Sequence, residues 1–317
     1  MGLNFVPLSL DLQRAYADRL AVTAVRPSLS SFVSLWAWRH EMGLSWAWED
    51  DLVWIRASRP EVCLLPPVGN WDAVDWAARL RQHFDHEVFC SVPTALAFRW
   101  QQALPEGLLR EDQRWEWDYL YRADDLLLLR GNQFMKKRHK IKEFFRDAGD
   151  GQESFSITGA HLDELWAFQE RWLRTQEDPG GTLAAEHRAI REVFDAWPHL
   201  PTVRGSAIRV RGALVAYAVG ALLAPTTLVV HFEKGDTALR GVYQAINQTF
   251  VRHHARFPVS LVNREEDLGD PGLRQAKLSY RPVDFVRKER IALRPALCPM
   301  DTAPGLSSCG EEVFSPH

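Results

Sequence analysis

The stretch from Ala213 to Val230 carries no charged side chain. A run of that length is either a short membrane-spanning helix or the buried backbone of a sheet. Gly220 lies inside it, and Ala224-Pro225-Thr226-Thr227 reads as a turn that cuts it in two. The stretch is therefore read as two buried strands, Leu214–Leu222 and Thr227–Glu233.

The surrounding sequence extends this reading into an α/β pattern that runs twice. In the first half, residues 30–39 form a short apolar helix, and 44–48 and 51–57 alternate as strands around Glu49-Asp50. A strand at 62–65, a helix at 72–84, a strand at 87–92, a helix at 95–103 and a strand at 115–121 follow. Residues 131–145 form a linking helix ended by Ala148-Gly149-Asp150-Gly151. The second half opens with a strand at 154–158 and helices at 161–175 and 186–197. The latter two place Leu162, Leu165, Trp166 and Ile190, Val193, Phe194 at helical offsets. A strand at 207–211 precedes the uncharged pair. A helix at 241–254, a strand at 259–263, a short helix at 272–278 and a strand near 283–287 complete the half. Expected units are thus a lobe 1–130, a basic linker 131–150, a lobe 151–294 and a disordered tail 295–317.

Composition excludes several classes. Lys and Arg number 38 against 41 Asp and Glu, so a net charge of −3 offers no whole-molecule attraction for polyanions. Any such site must be a local patch. The 13 Trp and 16 Phe suffice for a large core. The four cysteines are too scattered for a zinc site or a disulfide framework, and no metal is expected. The N-terminus does not read as a signal peptide, so a cytoplasmic location is expected.

Four segments carry possible chemistry. Asn263 to Tyr280 begins at a strand end, packs four carboxylates into its first part and continues into a short helix bearing Arg274 and Lys277, three apart on one face. Such mixed charge fits a paired network around a cleft, or a solvated loop with surface ion pairs. Gly269 and Gly272 imply a fixed backbone shape. His231-Phe232-Glu233-Lys234 ends an apolar strand. Alternation would place His231 and Glu233 on one side, where a carboxylate could serve as a general base, or the strand simply reaches solvent. Arg240-Gly241-Val242-Tyr243 opens a helix whose free N–H groups could receive an anion, with Asn247 one turn on. Lys136, Lys137, Arg138, Lys140 and Lys142 form a run without acids, fit for phosphates or merely a solvated face.

These residues, with Tyr121, Asp124-Asp125-Leu126, Gly131 and Pro282, resemble the C-terminal catalytic domain of phosphatidylglycerol lysyltransferases and its stand-alone relatives, over residues 30–288. The resemblance implies a tandem GNAT-like acyltransferase fold and transfer of an aminoacyl group from aminoacyl-tRNA to a lipid headgroup hydroxyl. No counterpart of the membrane-spanning half of the lipid enzymes is present in the sequence. A soluble small-molecule or peptide acceptor, or a peripheral one at a membrane, is equally open. Under this reading Glu233 or Asp267 takes the proton and Lys277 or Arg274 stabilises the oxyanion. Glu265 meets the donor's amine, and His231, Arg240, Gly241, Tyr243, Asn247, Asn263, Arg264 and Tyr280 line the substrate. Lys136, Lys137, Arg138 and Lys140 hold the tRNA acceptor end. An acyl-CoA donor, or a non-catalytic nucleotide- or metabolite-binding role, are the alternatives. No tightly bound cofactor is expected.

Overall fold

The computed structural model describes residues 2–177 and 181–294; the expected tail at 295–317 lies outside them. The described strands, in chain order, begin with β1 (Val6–Pro7), β2 (Ser45–Glu49), β3 (Leu52–Ala57), β4 (Cys63–Gly69) and β5 (Val88–Pro93). Next come β6 (Leu108–Asp112), β7 (Asp118–Arg122), β8 (Gln152–Ser156), β9 (Val203–Val210) and β10 (Ala213–Ala224). The last are β11 (Thr227–Gly235), β12 (Leu261–Asn263), β13 (Asp284–Val286) and β14 (Lys288–Leu293). They form two mixed sheets, ordered β1-β2-β3-β4-β5-β14-β6 and β13-β7-β12-β11-β10-β9-β8.

The uncharged stretch is the β10–β11 hairpin at the heart of the second sheet. Its side chains are buried on both faces, which explains why no charge interrupts it. Among the described residues, no helix is long and apolar enough to cross a membrane. One face of this sheet is covered by the helix Val242–His254, which packs Ile246 and Phe250 with Tyr119, Val230 and Val262. The other face meets the helices Leu162–Arg174 and Thr182–Asp195. Their core is continuous with Phe32, Leu35 and Trp46 from the first half, so the two sheets share packing.

The sheets do not follow the expected units 1–130 and 151–294 strand for strand. β7 lies before residue 130 yet pairs antiparallel with β12 and β13 in the second sheet. β14 follows the second half yet inserts between β5 and β6 in the first. Each sheet is thus completed by a strand from the other end of the chain. The strand expected from 115 starts later, because Arg114–Glu116 is a 3-10 turn with Trp115 partly exposed.

Two irregularities shape the site. The β10–β11 register steps from Val219↔Phe232 to Gly220↔Val230, which leaves His231 as the extra residue of a bulge. Gly220 is required there, because a Cβ would fall 1.9 Å from the Val229 carbonyl oxygen. β11 and β12 run parallel but pair only over Thr227–Val229 and Leu261–Asn263. β11 continues to Gly235 while the partner chain turns away, and this leaves an opening beyond the carboxyl end of β12. Parallel sheets place their ligand crevices at such ends.

Candidate active site

That opening is a cleft of about 280 Å³. β11 contributes Glu233, and Arg264 follows β12 directly. The helix Pro271–Leu278 contributes Leu273, Ala276 and Lys277, with Tyr280 just beyond. This helix starts sharply: Asp270 caps it by accepting from Leu273 N–H at 2.6 Å, and Pro271 occupies its first position. Tyr243 and Gln244 enter from the first turn of Val242–His254, and Lys137 from the helix Met135–Ala148.

Inside the cleft, Glu233 lies 3.5 Å from the Arg264 guanidinium and accepts from Asn247 Nδ2 at 3.2 Å. Asn247 is buried, and this contact explains a polar residue on that helix face. Lys277 Nζ donates to the carbonyls of Arg264 and Glu266, both at 2.5 Å, and so pins the turn after β12. Burial, reinforced by Arg264, lowers its pKa to about 8. Lys137 Nζ stands 4.1 Å from the Tyr280 ring centre, and Arg264 stands 5.0 Å from the same ring. Burial, then the neighbouring Arg264 and Lys140, also lower Lys137 to about 8. Burial raises the Tyr280 hydroxyl to about 12.

The other expected site residues are spent on one another. Asp267 is fully buried. It binds Arg274 through two bonds of 2.8 Å, accepts from Tyr119 Oη at 2.6 Å and from Gly269 N–H at 2.9 Å, and meets Arg114 at 3.3 Å. Burial alone would raise its pKa; the hydrogen bonds from Arg274 and Tyr119 win and hold it well below the usual carboxylate range. With both oxygens engaged outside the cleft wall, Asp267 is a lock for the loop and not a free base, and Arg274 is its partner. The helix face that reaches the cleft runs Leu273, Ala276, Lys277, Tyr280, at offsets of three, four and seven, and it bypasses Arg274. That spacing was present in the sequence and identifies Leu273 and Ala276, which the sequence reading left out along with Gln244.

Asn263 is buried too. Its Nδ2 donates to Asp118 at 2.9 Å, and its Oδ1 accepts from Glu265 N–H at 2.8 Å, holding Glu265 at φ +56°. Gly269 has φ +78° as a fixed turn requires, whereas Gly272 sits in ordinary helix. Asp118 also accepts from Ser28 N–H at 2.7 Å and pairs with the buried Lys288 at 2.6 Å. Asp118 comes from β7 and Lys288 from β14, so this pair ties the exchanged strands together. Neither was picked out from the sequence, since each stands alone there.

His231 and Glu233 do not share an environment. The bulge breaks the alternation: His231 bonds Glu265 at 2.7 Å and Ser31 at 3.0 Å, away from the partners of Glu233. Glu265 is therefore occupied by His231 and does not line the cleft. Gly241 has φ +81°, and a Cβ there would lie 2.1 Å from the Lys140 carbonyl oxygen. The backbone that approaches Gly241 closely is thus the linking helix. Arg240 is exposed, 3.8 Å from Glu143, and flanks a second hollow with Lys140, Gly241 and Tyr243. On the basic helix, Arg138 turns inward to the carbonyls of Leu129 and Gly131, while Lys136, Lys140 and Lys142 are exposed.

Residues 21–289 match the family described as phosphatidylglycerol lysyltransferase, C-terminal. The chain belongs to this family. A protein of unknown function from Bacteroides thetaiotaomicron has the same fold, with a TM-score of 0.83 and 27% identity over 92% of this chain and all of that one. The C-terminal domain of a putative lysylphosphatidylglycerol synthetase from Agrobacterium fabrum superposes with a TM-score of 0.62 at 13% identity, covering 90% of this chain and 92% of that one. An uncharacterized protein of Mycoplasmoides gallisepticum is 24% identical over 174 residues; the chain spans 54% of that relative's length, and the match takes in 54% of this chain. The lysyltransferase-family fold is the tandem GNAT-like arrangement expected from the sequence, and family membership supports a transferase of the acyltransferase type.

Proposed function

We propose that the chain moves an aminoacyl group from aminoacyl-tRNA to a hydroxyl or amine of a small acceptor, a lipid headgroup among the candidates. The observation that carries this reading is the placement of Glu233. Among the described residues it is the one carboxylate lining the cleft, fixed by Asn247, at the open end of β11. The acceptor attacks the ester carbonyl, Glu233 takes its proton, and the tRNA hydroxyl leaves with a proton. The exposed Lys136, Lys140 and Lys142 offer a surface for the tRNA acceptor end, and that donor implies a cytoplasmic site of action, free or peripheral at the membrane. An acyl-CoA donor is the second reading, since Arg240 and Gly241 line an open hollow beside the linking helix where a pyrophosphate could lie.

The test is transfer of label from charged tRNA into lipid and soluble extract. Glu233→Gln should slow transfer by about 10²–10⁴-fold with the fold intact by circular dichroism. Wild-type protein that leaves the tRNA ester untouched defeats the reading. Glu233 is a better probe than Lys277, whose removal would also release the turn at 264–266.

A further inference from the structure

The cleft is unevenly charged. Three cations line it, Lys137, Arg264 and Lys277, against the single carboxylate of Glu233, which Arg264 already faces. Among the described residues Lys137 has no carboxylate within ion-pair distance; its neighbour is the face of Tyr280. Lys277 spends two of its three N–H groups on backbone carbonyls and pairs with no carboxylate there. The acids nearest Lys277 are engaged elsewhere: Glu265 with His231, Glu266 with Lys288, and Asp118 with Lys288, Ser28 and Asn263. Burial first, and Arg264 second, lower the proton affinity of both lysines; the shortage of negative charge is seen in the geometry, since neither ammonium has a carboxylate at ion-pair distance among the described residues.

We propose that the cleft seats an anionic group of the substrate, a carboxylate or a phosphate, held by Lys137, Arg264 and Lys277. This rests on the reading of the cleft as the reaction site and names the chemistry it selects. An anion would complete the missing charge and accept the unused donors of a site partly withdrawn from water, where such bonds are strong. A cationic side chain would instead meet three like charges with one carboxylate already shared. The seated part of the substrate is therefore anionic and not lysyl-like.

The full chain would be titrated calorimetrically with sulfate, acetate and ethylammonium at constant ionic strength, at pH 7 and pH 9. Sulfate or acetate should bind at pH 7 and ethylammonium should not. Binding should weaken at pH 9, where lysines with pKa about 8 have lost protons while both anions keep their charge. Lys137→Gln should weaken binding at least about tenfold, as expected for a lost charge-assisted bond, and Arg146→Gln, an exposed cation on the same helix, should not. Preference for sulfate marks a phosphate ligand, and preference for acetate a carboxylate. Absence of anion binding, indifference to Lys137→Gln, or preference for ethylammonium overturns the proposal. Anion binding without aminoacyl transfer would keep this site and remove the reaction reading; transfer without anion binding would remove this inference alone.

Discussion

The cleft and the clusters behind it both draw on residues 263–280, yet they treat charge in opposite ways. Behind the cleft, Asp118 and Asp267 are buried with all their oxygens satisfied, by Lys288, Asn263 and Ser28 in one case and by Arg274, Arg114 and Tyr119 in the other. In the cleft, Lys137 and Lys277 lack acidic partners among the described residues, and Arg264 shares Glu233. Closed networks fix geometry, and on the proposed reading the incomplete one receives a ligand. Charge density alone therefore does not mark a site; the informative quantity is charge without a protein partner.

The strongest test of this contrast is Asp118→Ala. It would leave Lys288 buried opposite no carboxylate except Glu266 at 3.5 Å. Removing one partner of a buried pair costs about 3–5 kcal/mol, and urea unfolding should show it as a lower midpoint. Because the pair joins β7 to β14, the loss should fall on both sheets together. A midpoint near wild type would show that the strand ladders and packing hold the exchanged strands without this pair.

Asp267→Asn should act next most strongly, at about 1–3 kcal/mol for a lost charge-assisted network. Its sign with pH is defined. The folded carboxyl is held below its unfolded value near 3.8, so its contribution is fully present above that pH and fades as pH falls below it. Wild-type stability should decline through this acid range more steeply than that of Asp267→Asn. Parallel acid profiles would remove Asp267 from the closed group.

Much of this was legible in the sequence, and the exceptions share a cause. The β10–β11 hairpin declares itself by lacking charge, and the helix Val242–His254 was placed within a residue of its start. Residues 263–280 were recognisable as a dense charged segment, and Arg264, Lys277 and Tyr280 of it line the cleft. Which charges there are free was not legible, because Asp267 pairs with the nearby Arg274 but is completed by two groups from far away: Tyr119 lies 148 positions off and Arg114 lies 153. The face shared by His231 and Glu233 failed because a bulge, set by Gly220 on the neighbouring strand, resets the alternation. The exchange of β7 and β14 was equally hidden, since periodicity gives a strand's faces and not its neighbours.

The smallest expected effects lie on the basic helix, and there the contrast can be tested within one run of like residues. Arg138 donates to the carbonyls of Leu129 and Gly131, closing the end of the helix Ala123–Leu128, whereas Lys136 is exposed and makes no bond to the protein among the described contacts. Arg138→Gln should cost about 1 kcal/mol, as for a lost hydrogen bond to backbone. Lys136→Gln should stay within about 0.5 kcal/mol of wild type, as surface substitutions do. If charged tRNA is the donor as proposed, their order should reverse in its binding, with the exposed lysine at phosphate and the inward arginine not, so Lys136→Gln alone should reduce the salt dependence of binding. Equal effects of the two variants on both stability and salt dependence would mean that the run is one solvated surface, without the division of labour seen in the cleft.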